Sequence, residues 1–454
     1  MKKKLIDEAI SEAQRAQAEP WTSPPKGPVK EIRLPPMLPI GDGQHLPATE
    51  RLVSIVSEYS NVLLDNEPEL KVRFKKGEFI QMAQSAFGQA LVEINLDQPT
   101  AGLVREAKNV IESKIQDAIE NNRKKLKMVL GCDLFDTLKG YPITVGPVVF
   151  HTREQWRIQA LELGEISLTT SRRLQKVWNG KRLAKRKSSQ ESMKEDSIID
   201  SIGAKPIVCE IQCDGLSSKM IEEKSLLTAR LGICAMSLMW RRPSQALRWM
   251  NLIYDGPLHH RAYVLFGDKG RFGSSHSISQ LPGGARVDQM FLEQVQEYAG
   301  IFDMLGEVLK SYVQPNHIST RPVVINALFL SILWFYEASI APSDQIAVTK
   351  YAASLDTLSG GKKQNGIENL IEARIGHQPT EQLMGDGRTT REVIAEIYSI
   401  GRSRLLHGSS EKFAFDWSGL RATAESVSRL CLVEVISWLA ENSEVNTIEQ
   451  ILEK

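Results

Sequence analysis

From Pro322 to the C terminus, apolar residues recur at three- and four-residue spacings through five consecutive stretches: Val323–Ile340, Ser343–Leu358, Ile367–Ile375, Thr390–Leu406 and Leu420–Leu439. That period puts the apolar residues of each stretch on one helix face, and successive faces of this kind are buried by packing on one another. A helical bundle is therefore expected for this part of the chain. The punctuation agrees: Pro322 and Pro342 stand at helix starts, Ser343 or Thr390 can cap, and Gly360, Gly361 and Gly408 follow helix ends.

The first stretch approaches the length of a membrane span. It contains Asn326, Ser331 and Glu337, which favour a helix buried in a protein core. No membrane partner is expected. The basic start MKKK is followed at once by acidic and polar residues instead of an apolar h-region, so a secretory leader is not expected. Five cysteines in 454 residues, spread apart except for Cys209 and Cys213, fit a reducing compartment, and the cytoplasm is the expected location. With 56 basic and 55 acidic residues, any nucleic-acid contact must rest on local clusters and not on net charge.

The length suggests two or three domains. Repeated prolines between Glu19 and Pro47 indicate an extended arm or linker, which sets off residues 1–48. Residues 49–318 read as a helical and α+β domain with a sensing or regulatory role. Glu50–Leu64 and Gly102–Met128 are amphipathic helices, the latter through Leu103, Val110, Ile111, Ile115 and Ile119. Tyr141–Phe150 is a short strand, after which Thr152 can cap a helix. Pro206–Cys213 and His260–Phe266 alternate as strands, with a long helix at Lys219–Trp240 between them. Residues 319–454 form the helical C-terminal domain. The fold class is thus mainly α, with an α+β N-terminal and middle region.

Arg172–Lys187 packs eight basic side chains into sixteen residues around Trp178. Such a segment attracts phosphates, and an interleaved aromatic can stack on an unpaired base, which makes Arg182, Lys185 and Arg186 candidate RNA contacts. A solvated surface segment is the competing reading. On a strand Cys209 and Cys213 would lie about 13 Å apart, too far to share a metal ion, and core thiols are expected. His259 and His260 would point to opposite faces and receive no role. The glycine-rich stretches Gly267–Ser274 and SGGKKQNG, around Gly360, lack the spacing that cradles phosphates and read as turns.

The fourth C-terminal helix ends YSIGRSRLLHGSS, so Arg402 and His407 enclose four residues immediately before a glycine. This R-x4-H segment resembles the signature of the HEPN superfamily. The likeness extends to the apolar opening helix, the second helix ending AASLDTL and the closing RLCLVEVISWL, a set similar to the ApeA-like branch. A HEPN-like helical bundle over residues 319–454 is what the resemblance implies.

Arginine offers a permanent charge and a planar donor fork suited to a phosphodiester, and histidine exchanges a proton in the neutral range. The resemblance implies a metal-independent endoribonuclease without cofactors, in which the RNA 2'-hydroxyl attacks the adjacent phosphate and a cyclic phosphate end remains. Arg402 and His407 would carry the chemistry, with Asp356, where the ApeA-like pattern has a glutamate, orienting them. Tyr398, Ser403 and Arg404 stand beside the pair as candidate substrate contacts. Many active members carry Asn, Asp or His where this chain has Ser403. On an ideal helix residues five apart are turned about 140° from each other, so one pair frames a site loosely. HEPN ribonucleases bring two copies together, which implies a homodimer through the C-terminal domain. An antiviral or toxin-like role follows by family analogy only. The alternative is a non-catalytic HEPN module that dimerises and binds nucleotide or RNA. A toxin paired with a nucleotidyltransferase fits less well, because SSEKFAF follows His407 where such toxins carry a tyrosine motif.

Overall fold

Leu5, Ile6, Ala9, Ile10 and Ala13 lie at helical spacing and all are buried, so the first helix, α1 (Lys2–Ala18), is a core element. The computed structural model describes residues 1–18, 36–98, 100–135, 138–255, 260–266, 272–278, 288–409, 411 and 414–454. Two compact units divide the chain: Met1–Leu126 with Cys213–Glu223, and Lys127–Gln212 with Lys224–Lys454.

In the first unit, β1 (Met37–Gly41) and β2 (Gln44–Pro47) form an antiparallel hairpin. The proline-rich segment expected as an extended arm is therefore ordered strand over its last part, while residues 19–35 lie outside the described residues. The helices α2 (Glu50–Asn66), α3 (Pro68–Arg73), α4 (Lys76–Glu93) and α5 (Thr100–Asn122) follow. Thr49 caps α2 by accepting from Leu52 N. Leu103, Ile111, Ile115 and Ile119 of α5 are buried as their spacing demands. The helix stops at Asn122, short of the expected Met128, because the chain turns into β3 (Lys124–Asp133).

In the second unit, the stretch read as one strand at Tyr141–Phe150 is a hairpin, β4 (Ile143–Val145) and β5 (Val148–Thr152). Gly146 makes the reversal possible: its φ is +57°, and a Cβ there would meet the backbone oxygen of Gly306. Thr152 begins α6 (Arg153–Glu162) with a capping box to Gln155. Next come α7 (Leu168–Trp178), α8 (Gln190–Ile202) and β6 (Ile207–Leu216). Beyond them lie α9 (Ser218–Ser237), α10 (Pro243–Ala246) and β7 (Asn251–Leu252). The five-stranded sheet has the order β4-β5-β6-β3-β7. Its central strand β6 is buried on both faces, and Cys209 and Cys213 lie in the core. The strand β8 (His260–Phe266) pairs with β9 (Phe272–Ile278) in a separate two-stranded sheet. His259 and residues 267–271 of the first glycine-rich stretch lie outside the described residues.

Helices α11 (Asp288–Glu297), α12 (Ala299–Val313), α13 (Pro322–Ser339), α14 (Asp344–Leu358), α15 (Lys363–Ile375) and α16 (Thr390–Ala395) complete the approach to the C terminus. A π-helical turn (Glu396–Arg404), α17 (Ser418–Glu441) and α18 (Ile448–Leu452) follow. The only helix apolar and long enough to cross a membrane, among the described residues, is α13, and 56% of it is buried. Two of its polar groups have protein partners: Ser331 and Ser354 of α14 exchange hydrogen bonds to each other's carbonyls at 3.0 and 2.9 Å, and Glu337 pairs with Lys350 at 2.9 Å. Those contacts are what a core helix needs.

The bundle does not stand apart at residue 319. Buried Glu425 of α17 accepts from Ser244 N and Oγ at 2.7 and 2.8 Å, and Arg429 donates to the carbonyl of Leu238 and to Tyr298 Oη. The second unit therefore joins the sheet and the C-terminal helices, whereas the sequence suggested divisions at 49 and 319. Overall the chain is mainly helical, with an α+β region in its N-terminal and middle part and a helical C-terminal part.

Candidate functional site

The capping box that starts α16 is Thr389 with Glu392; Thr390, the cap expected from the sequence, is the first helical residue and buried. From Glu396 to Arg404 the helix widens into π geometry, a form that occurs mostly as single turns and often at functional sites. Gly401 brings this turn against α14, since a Cβ there would lie 2.3 Å from Val348 Cγ1. Thr349 Oγ1 fixes the approach by donating to the Gly401 carbonyl at 3.0 Å. Both are supporting residues that the sequence reading did not single out; a glycine inside a helical pattern was the available signal.

Side chains on a helix lean toward its N terminus, so Arg402 folds back over Tyr398, one turn earlier. Its guanidinium carbon lies 5.1 Å from the Tyr398 ring centroid. Arg402 Nη1 donates to Tyr398 Oη at 2.6 Å and is 2.9 Å from Asp356 Oδ2. Asp356 is only 8% exposed, and its Oδ1 accepts the Lys363 backbone N–H at 2.9 Å. Burial, and then the Asp356 carboxylate, push the Tyr398 phenol above its ordinary value. It is therefore a neutral phenol at physiological pH.

Three expected site residues, Asp356, Tyr398 and Arg402, thus come together. All the protein bonds of Arg402 run through Nη1, while Nε and Nη2 have no partner among the described residues. These two donors form one edge of the guanidinium fork, the edge that can grip a phosphate or carboxylate through two parallel bonds.

His407 closes the helix. Ser409 N bonds the Arg404 carbonyl and Gly408 N the Leu405 carbonyl, with Gly408 at φ +68°, which is a Schellman ending. The His407 side chain is exposed and joins neither Arg402 nor Asp356 among the described residues. Ser403 is half-buried and Arg404 exposed.

The basic segment differs from its reading. Trp178 is not free to stack on a base: it packs edge-on against Trp156 at 6.4 Å, with Arg153 over its ring. Arg186 is held at 2.7 Å by Glu195, which is 2% exposed and also takes two bonds from Arg173 Nε. Arg182 and Lys185 are exposed. No protein-family model, curated protein or solved structure matches the chain.

Proposed function

We propose that the C-terminal helices act as a HEPN-type, metal-independent endoribonuclease. The observation that carries this reading is the state of Arg402, anchored through one nitrogen by Asp356 and Tyr398 with its remaining fork open. An anchored guanidinium costs little to organise around a phosphodiester and stabilises the charge that develops on it. In the proposed step the RNA 2'-oxygen bonds to phosphorus and the bond from phosphorus to the 5'-oxygen breaks. A base takes the 2'-proton, and the departing 5'-oxygen receives a proton, leaving a 2',3'-cyclic phosphate. His407 is the nearest proton-exchanging side chain in sequence, at the C-terminal end of the helix that carries Arg402. One histidine cannot remove the 2'-proton and protonate the departing 5'-oxygen in a single concerted step, so a second copy of the chain, facing the first through these helices, would supply the other. By resemblance the protein is a cytoplasmic effector in toxin-like or antiviral defence, with the preceding region sensing a trigger.

The second reading, a non-catalytic dimerising module that binds RNA or nucleotide, draws on Ser403 and on the isolation of His407 from the Arg402 cluster. Incubation of purified protein with total RNA, with and without EDTA, separates the two. Cleavage that survives EDTA and is lost in both Arg402→Ala and His407→Ala is expected; full activity in both variants overturns the proposal. His407→Ala should change stability by less than about 0.5 kcal/mol, because the side chain is exposed and has no partner among the described residues, so its loss of activity would be chemical.

A further inference from the structure

We infer that Lys363, the first residue of α15 just after the glycine-rich turn, is a second cation that holds the RNA backbone beside Arg402. The inference rests on the proposed ribonuclease reading and adds a residue to its site. The Asp356 carboxylate links the two positions, with Oδ2 on Arg402 Nη1 and Oδ1 on the Lys363 backbone N–H, each at 2.9 Å. Two hydrogen bonds and one carboxyl group therefore separate the Lys363 nitrogen from the guanidinium, roughly 8 Å at most. A second tie joins the start of α15 to the π-helical turn, since Ser399 Oγ donates to Gln364 Oε1 at 3.3 Å.

The choice of lysine here is not explained by the backbone. Lys363 has a φ of +61°, a left-handed conformation that glycine adopts freely and a lysine does not. Glycine is used at two neighbouring positions with the same requirement, Gly360 at +73° and Gly361 at +75°. Only one other described non-glycine residue, Asp42, has a positive φ. A long cation kept at such a position is an outlier of the kind found where a side chain is needed.

Its charge is also uncommitted. The adjacent Lys362 pairs with Glu449 at 3.2 Å, whereas the Lys363 side chain is exposed and has no partner among the described residues. A flexible four-carbon stem starting within one carboxylate of Arg402 can place its ammonium on the phosphate that Arg402 grips or on a neighbouring one. The ligand class is a single-stranded phosphodiester chain, which must be free of a helix for its 2'-hydroxyl to turn toward phosphorus.

The test measures binding of a fluorescein-labelled single-stranded RNA by anisotropy, with the full-length chain carrying His407→Ala so that the probe survives, over a range of salt. In this background Lys363→Gln should weaken binding about tenfold and lower the slope of log affinity against log salt by about 0.7, the value for one phosphate contact on a single strand. Lys363→Arg should keep most of the affinity. Lys363→Gly, which removes both the charge and the left-handed penalty, should lose as much affinity as Lys363→Gln while melting no lower than the parent. Parental affinity and slope in both the Gln and Gly variants would overturn the assignment, as would absence of RNA binding by the parent. Cleavage that persists in Arg402→Ala and His407→Ala would instead overturn the ribonuclease site, a result read on a separate assay.

Discussion

Asp356 Oδ2 lies 2.9 Å from Arg402 Nη1 and joins the middle of the helical bundle to the π-helical turn. The carboxylate is buried and the guanidinium side chain is 29% exposed, so the pair is screened on one side only. Removing the charge from Asp356 while keeping an oxygen acceptor, as in Asp356→Asn, should cost about 1–2 kcal/mol in urea unfolding. Combining it with Arg402→Gln should show a coupling of about 1 kcal/mol in a double-mutant cycle. Additive single effects would mean that the two residues do not act as a unit. On the proposed function, Asp356→Asn also lowers cleavage more than its stability effect accounts for, since the arginine fork loses its anchor.

The close approach at Gly401 gives a second expectation. Gly401→Ala forces a methyl group to 2.3 Å from Val348 Cγ1, a distance that van der Waals contacts do not permit. Overpacking of this kind costs about 1–3 kcal/mol, more than the gain in helix propensity from alanine. Val348→Ala should restore part of that loss when added to Gly401→Ala, although by itself it opens a cavity and destabilises. Chemical denaturation of the two single variants and the double variant checks this; equal and additive losses would show that the contact does not limit the packing of the turn.

These elements show where the sequence was legible. Helix periods carried through because burial follows them: Leu103, Ile111, Ile115 and Ile119 face a core, as do Val324, Ile325, Leu328 and Ile332. Turn and cap chemistry carried through at Thr152, Ser343 and Gly408 because these signals are local. The π-helical turn was not legible, because nothing local in EIYSIGRSR separates it from an α-helix; the fit of Gly401 on Val348, a contact between distant residues, accompanies it. Trp178 shows the same limit. Its place among basic residues suggested an exposed ring, but Trp156, twenty-two positions earlier, covers it. Within the candidate site, Tyr398 meets Arg402 as their four-residue spacing suggested and Asp356 joins them, whereas no contact among the described residues brings His407 to the three.

The sheet supplies a prediction independent of the helical site. His151 on β5 is 5% exposed and its Nε2 has no hydrogen-bond partner among the described residues, with Glu210 on β6 and Lys127 on β3 as its charged neighbours. Burial holds its pKa below the ordinary histidine value; Lys127 adds to this, and Glu210 opposes it. The unfolded chain therefore binds the proton more readily than the folded one. The stability that depends on neutral His151 is fully present above the unfolded value of about 6.5 and is lost as pH falls from there through the folded value. The melting midpoint of the second unit should thus drop as pH falls below about 6.5, by about 2–4 °C for each kcal/mol of linked free energy. His151→Phe, which fills similar space and cannot take up a proton, should flatten that dependence relative to the parent. A parental and a variant profile that fall in parallel would assign the acid sensitivity to carboxylates elsewhere and remove His151 from it.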